Sequence, residues 1–258
     1  MAVSSCAGDD GVAEQPAYYA RRGGLLADCW TLLHPPYTLW HVSYAVLGAA
    51  LAPRLSWTPL LLTVLAFFLA VGVGAHALDE RAGRPLGTAL GDRGLVVAAI
   101  GSLLVAAALG VFGAFWWDGT NWPLAIAIPI GVALVVGYNL ELADGRLHND
   151  VTFGLAWGGF PVVVGYVAQS PGLDGGSGAA AVAATVAAVG FTYAQRRLST
   201  PARELRRRTL DVDGAVRRVD GTIVPLDRST LLAPLEGALR ALSWAVPLVA
   251  LAVLLTHG

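Results

Sequence analysis

The stretch WTPLLLTVLAFFLAVGVGAHALDERAGRP, residues 57–85, decides the class of this protein. From Trp57 to Leu78 it holds no Asp, Glu, Lys or Arg. A helix of that length crosses the roughly 30 Å hydrocarbon core of a bilayer. The run then ends abruptly in Asp79-Glu80-Arg81. The same alternation of apolar run and polar link repeats along the chain. Hydropathy marks seven candidate spans, near 38–52, 57–78, 94–116, 122–142, 151–169, 179–195 and 241–255. The first is the shortest. Composition agrees: 55% of residues are hydrophobic, 14% are charged and the mean hydropathy is +0.61. A soluble domain carries about 25% charged residues. With so few, this chain could not cover its surface with polar groups, so the bilayer is its solvent. The expected fold class is all-α: an integral membrane helical bundle of about seven transmembrane helices, with a cavity opening to the cytoplasmic side.

All 17 basic residues are Arg. Without Lys there is no Schiff-base chemistry and no Walker A loop. A net charge of −1 gives no global field to attract nucleic acid. The two cysteines, Cys6 and Cys29, have no metal-ligand spacing and read as idle thiols. Residues 1–23 lack a signal-peptide pattern and read as a disordered cytoplasmic tail; 24–258 form one transmembrane domain. Within the domain, residues 24–33 are apolar but short, and Pro35-Pro36 stops them, as in a helix lying on the membrane surface.

Arginine placement sets orientation. With the N-terminus in the cytoplasm, sixteen of the 17 arginines fall inside and Arg54 alone falls outside. The C-terminus is then extracytoplasmic, and 196–240 is a cytoplasmic Arg-rich segment. Val212-Asp213-Gly214 and Val219-Asp220-Gly221 are turn signals for a small hairpin there, and Ser229 could cap the last helix. The expected setting is the plasma membrane of a prokaryote.

Polar residues gather at the cytoplasmic ends of the spans, where charge near hydrocarbon is costly. His76, Asp79 and Glu80 stand at i, i+3 and i+4, one face of a helix, and such a set could hold a divalent cation. Arg81 and Arg84 could hold an anion beside it. An ordinary span end with solvated charges is the alternative. In the second cluster Glu141, Asp144 and His148 share a face if helical, with Arg146 between them, although Gly145 equally suits a helix end. Glu141 could instead snorkel or pair with an Arg. In the third cluster Arg196 and Arg197 open a cationic run to Arg208. That run could bind diphosphate, hold lipid headgroups or simply fix topology. Aromatic residues accompany the clusters: Trp40, His41, Tyr44, Tyr138, Phe153, Trp157, Phe191 and Tyr193. Their π faces suit an isoprenoid chain or an allylic cation, or form an aromatic belt. Trp157-Gly158-Gly159-Phe160-Pro161 breaks a span, because Pro161 frees backbone groups that need a partner.

These residues resemble the UbiA superfamily of intramembrane prenyltransferases and membrane terpene cyclases. The acidic run ending the second span, followed by Arg84-Pro85-Leu86, resembles that family's first aspartate-rich motif. Tyr138 to Asp150, followed by Phe153-Gly154-Leu155-Ala156-Trp157-Gly158 and Gly165-Tyr166, resembles its tyrosine-started motif and the glycine-rich helix after it. The likeness runs over roughly 33–208. It departs in placing His76 where an aspartate is usual and Glu141 and Asp144 where basic residues are usual. It also lacks the second aspartate motif after the sixth span and has fewer spans than the usual nine. The resemblance implies Mg²⁺-dependent ionisation of an allylic prenyl diphosphate and transfer of the prenyl group to a lipophilic acceptor, or cyclisation of the same donor. A non-catalytic membrane partner or lipid-binding protein is the remaining alternative. The implied roles are catalysis for His76 and Tyr138 and metal ligation for Asp79, Glu80, Glu141 and Asp144. Arg84, Arg146, Arg196 and Arg197 would bind the diphosphate; Trp40, His41, Phe153, Trp157 and Tyr193 would form the prenyl pocket.

Overall fold

The structure is a computed structural model that describes residues 16–172 and 175–257. The expectations for residues 1–15, Cys6 included, lie outside the described residues. The elements are α1 (Leu25–Leu32), α2 (Pro35–Ala50), α3 (Trp57–Phe67), α4 (His76–Gly83), α5 (Asp92–Phe115), α6 (Trp122–Asn139), α7 (Asp150–Gly154), α8 (Phe160–Gln169), α9 (Gly175–Arg207), β1 (Gly214–Arg217), β2 (Ile223–Leu226) and α10 (Arg228–Leu254). A π-helical stretch, Phe68–Ala75, joins α3 to α4, and another, Leu155–Gly159, joins α7 to α8.

Among the described residues, six helical columns are long and apolar enough to cross a membrane: Trp57–Gly83, Asp92–Phe115, Trp122–Asn139, Asp150–Gln169, Gly175–Arg207 and Arg228–His257. The protein is a mostly helical membrane bundle. α2 has 16 residues, about 24 Å of helix. Its residues Trp40 to Ala45 are all buried, so neighbours enclose it on every side. Glycine makes that enclosure possible. A Cβ on Gly48 of α2 would run into the Val162 carbonyl oxygen, and one on Gly165 of α8 into the Ala45 carbonyl oxygen. Small residues thus let α2 and α8 touch backbone to backbone, as membrane helices do when lipid gives no hydrophobic push.

Consecutive columns alternate in direction. At one end Gln169 bonds the Ser56 backbone, Asn121 donates to the Val167 carbonyl at 2.7 Å, and His257 Nε2 donates to the Ala50 carbonyl at 2.6 Å. Arg54 sits at this end. The opposite, arginine-rich end gathers the starts of α2, α5, α7 and α10 with the ends of α4, α6 and α9.

Three local expectations change. Residues 16–23 were expected to be disordered, but residues 16–22 pack on the arginine-rich end: Ala20 is buried, and the Arg21 N–H and carbonyl both bond the Thr31 hydroxyl. The 196–240 segment is an extension of α9, a hairpin and the first turns of α10. β1 and β2 pair antiparallel, and Asp220-Gly221 makes the turn with Gly221 at φ +85, while Gly214 starts a strand. Asp227, not Ser229, caps α10: its carboxylate accepts from the Thr230 N–H at 2.6 Å, and Ser229 donates to it. The apolar faces of Leu25 and Leu26 on α1 stay exposed, as a surface-lying helix requires.

Candidate functional site

Pro161 starts the site. It has no N–H for the carbonyl of Trp157, four residues back. The chain takes a π-helical turn there, and the freed carbonyl is met by His41 Nδ1 from α2 at 2.9 Å. A carbonyl only accepts, so His41 carries its proton on Nδ1. The turn presents Trp157 against Tyr138 (5.1 Å between centroids) and Phe153 (6.0 Å), and Phe153 meets His41 edge-on at 5.9 Å. His148 stacks on Tyr138 at 4.5 Å.

Arg196 of α9 closes this aromatic box. Its Nε donates to Asp150 at 3.0 Å and its Nη1 to the Tyr138 hydroxyl at 2.7 Å. Its guanidinium stands 5.2 Å from the Phe153 ring centre and 5.9 Å from that of Tyr138, so these π faces already serve a cation. Asp150 is the first residue of α7, after the Asn149 cap, where an acid suits the helix dipole.

A second group lies at the same end. His34 precedes two prolines that begin α2, and the residue before proline is driven out of the right-handed helical region. It takes the left-handed one, φ 46 and ψ 56. Its ring stacks on His76 at 4.3 Å, and Tyr19 hydrogen-bonds its Nδ1. Burial holds His34 well below the ordinary imidazole range; His76, Arg207 and Arg203 push it the same way. Burial likewise raises Tyr19 well above the usual phenol value. Among the described residues two buried side-chain atoms lack a hydrogen-bond partner, His34 Nε2 and Gln195 Oε1. Each such atom costs about 1–3 kcal/mol. Both belong to this end of the bundle.

Beside the aromatic box, and sharing Trp157 with it, an apolar groove lies between α3, α5, α6 and α8. Trp157, Val135 and Leu103 stand at its junction with the box; Ala66, Gly110, Ile128 and Phe160 line it farther in. Its volume is about 100 Å³, and one side is open.

The chain matches no family model, no curated protein and no solved structure. Its own geometry therefore carries the functional argument.

The residues singled out in the sequence divide into three sets. Tyr138, His41, Phe153, Trp157 and Arg196 come together. Arg197 stays at the edge, 66% exposed and 3.8 Å from Asp150. His76 joins the His34 group and also bonds the Gly72 carbonyl at 3.1 Å. Asp79 is exposed in the first turn of α4; its charge reaches Tyr138, His76 and Arg207.

The others serve elsewhere. Trp40 is fully buried among Tyr44, Val162, Ala188 and Val246, and its indole N–H donates to the Tyr44 hydroxyl at 2.6 Å. Tyr193 is 42% exposed on the outer surface. Arg84 takes a left-handed conformation after α4 and pairs with Asp92 and the Leu90 carbonyl, strapping the loop to α5. Arg146 is exposed in the α6–α7 loop.

The four acids do not form the expected magnesium site. Glu80 is fully buried, and its carboxylate accepts from the N–H groups of Leu86 and Thr88 and from the Thr88 hydroxyl, at 2.8–2.9 Å. The chain turns back after Gly83 and uses Glu80 as its anchor. α6 ends at Asn139, so Glu141 and Asp144 share no helix face; both have positive φ and both are exposed. Glu141 lies 3.7 Å from His148. Among the described residues, no three His, Cys, Asp or Glu side chains could hold one metal ion.

The sequence reading missed His34 and Asp150. Asn149-Asp150 before an apolar run is a helix start, and an acid there beside a membrane asks for a cation. His34-Pro35-Pro36 signals a forced backbone, but not what the ring would meet.

Proposed function

We propose that this protein acts on an isoprenoid diphosphate, transferring its prenyl group to a lipophilic acceptor. One observation carries the reading: Trp157 belongs both to the apolar groove and to the aromatic box that holds Arg196. An apolar groove thus adjoins, through Trp157, a cation beside π faces, which suits a molecule with a hydrocarbon tail and an anionic head. Arg196 would stabilise charge developing on the departing diphosphate, and the rings of Tyr138, Phe153 and Trp157 would face the allylic carbon as it becomes cationic. The chain would extend from the enclosed part of the groove along its open side. The resemblance to UbiA-type enzymes supports the same substrate class. The acids form no magnesium set, so Arg196 and Tyr138 would bind the head.

In this reading α2 is a seventh, central span. The arginine-rich end faces the cytoplasm of a prokaryotic cell, with the N-terminus inside and the C-terminus outside, because sixteen of 17 arginines then lie inside.

The scattered acids favour a second reading, an isoprenoid-binding protein without chemistry. Purified protein is incubated with C10 to C20 prenyl diphosphates, with and without a quinone or aromatic acceptor, in Mg²⁺ and in EDTA. Diphosphate release that needs the acceptor supports transfer. Release without acceptor points to cyclisation or hydrolysis. Saturable binding without release selects the second reading, and absence of both overturns the substrate class.

A further inference from the structure

His41 gives only one of its two ring nitrogens to the fold. Pro161 leaves the Trp157 carbonyl without its helical partner, and His41 Nδ1 meets that carbonyl at 2.9 Å. The proton therefore sits on Nδ1, and Nε2 carries a lone pair. Among the described residues no hydrogen bond reaches Nε2. The side chain is 2% exposed, so this lone pair stands inside the bundle and not in bulk water. Its ring neighbours are Phe153, edge-on at 5.9 Å, and Tyr44, tilted at 6.4 Å.

Holding one carbonyl takes one donor, which an asparagine or a threonine supplies. A histidine there adds a buried acceptor, and a buried acceptor costs free energy until a donor comes to it. The described chain brings none, so a donor from outside fits the place. A cationic donor has no acid to meet, because Asp150 is taken by Arg196. A neutral hydroxyl meets no such obstacle. The walls beside it are rings: Phe153 lies 5.7 Å from Tyr138 and 6.0 Å from Trp157. Ring walls favour a planar, apolar body. A lipophilic phenol combines that body with that hydroxyl.

We propose that His41 Nε2 receives the hydroxyl of a lipophilic phenol and, during prenyl transfer, takes its proton. The binding half stands on the geometry; the proton transfer rests on the prenyl diphosphate reading. The O–H proton moves to Nε2 and the phenol oxygen bonds the allylic carbon. The bond from that carbon to the diphosphate breaks, and its electron pair leaves on the diphosphate. The product is a prenyl aryl ether. The imidazolium then passes the proton to the departing diphosphate, which restores the Nε2 lone pair. The Trp157 carbonyl holds the ring throughout and stabilises its charged form through Nδ1–H.

The test uses the full chain in phosphatidylcholine nanodiscs with a C15 prenyl diphosphate and two acceptors. One is para-octylphenol, neutral at the assay pH; the other is para-nitrophenol, assayed above its pKa so that it arrives ionised. His41→Asn keeps an N–H donor for the Trp157 carbonyl and removes the base. Prenylation of octylphenol should fall about a hundredfold, while that of the ionised nitrophenol should change by less than about threefold. A second readout needs no turnover. In protein labelled with ¹⁵N-histidine, octylphenol should shift one Nε2 resonance saturably. That resonance should be missing from His41→Asn, or from His41→Gln if the asparagine variant does not fold. Equal losses with both acceptors, or no loss with octylphenol, overturn the proton transfer. No saturable shift of the His41 resonance overturns the phenol site. A saturable shift without wild-type turnover supports the site and tells instead against the prenyl-transfer reading.

Discussion

Arg196 makes three neighbouring side chains meaningful, because Asp150 holds it and Tyr138 and Phe153 face it. If its charge stabilises the leaving group, Arg196→Gln should lower diphosphate release on the order of a hundredfold, the usual loss of one transition-state donor. Asp150→Asn only loosens the positioning of Arg196. It should therefore raise KM more than it lowers kcat, and steady-state kinetics on both variants separates the roles. His34 makes a different prediction. Its folded pKa lies below the unfolded value of 6.5, so it favours folding above that pH, and the benefit is lost as pH falls below it. The groups around it are Tyr19, Tyr37, His76, Arg203 and Arg207. Thermal stability in detergent should fall from pH 7.5 to 5.5, and His34→Gln should flatten that slope; an unchanged slope removes His34 as its source. At this scale the sequence was half legible. Pro161 announced a freed carbonyl, but only the fold supplied His41. Glu80 read as a ligand because it shares a helix face with His76, and spacing cannot register a chain that returns six residues later to take its oxygens.

At the scale of elements the apolar runs were plain, since hydrocarbon length sets their size. Their ends were not. α9 continues from the apolar register to Arg207, and α10 begins at Arg228, well before its apolar part. Helical propensity and capping extend helices beyond what hydropathy registers. The capping side chain was misread as Ser229 because Asp227 and Ser229 both suit the position; hydrogen bonds from Thr230 and Ser229 pull Asp227 down to about 2. Asp227→Ala should speed amide exchange over the first turn of α10, while Asp227→Ser should largely keep protection. The α2–α8 contact is stricter. Gly165→Ala would place a methyl against the Ala45 carbonyl oxygen, where backbone cannot yield. It should destabilise the bundle by about 1–3 kcal/mol in detergent unfolding, against little change for Gly101→Ala, whose added carbon meets nothing. Equal stability of the two variants would remove α2 from the packed centre.

At the scale of the molecule, arginine bias was legible because orientation is a sum over many residues and does not depend on any one contact. A reporter fused after Gly258 should be extracytoplasmic, and one inserted between β1 and β2 cytoplasmic; the reverse at either point breaks the topology. The groove and the aromatic box were not legible as one site, since they join through Trp157 across five helical segments. That junction is also where the functional account is most exposed. A C15 prenyl diphosphate with a diazirine at the far end of its chain, photolysed in the full-length protein, reports where the tail lies. The account predicts saturable labelling of groove residues on α3, α5 and α6, competed by unmodified prenyl diphosphate and weakened in Arg196→Gln. Labelling confined to outward residues such as Val186 and Tyr193, or labelling that neither saturates nor responds to Arg196→Gln, would contradict it.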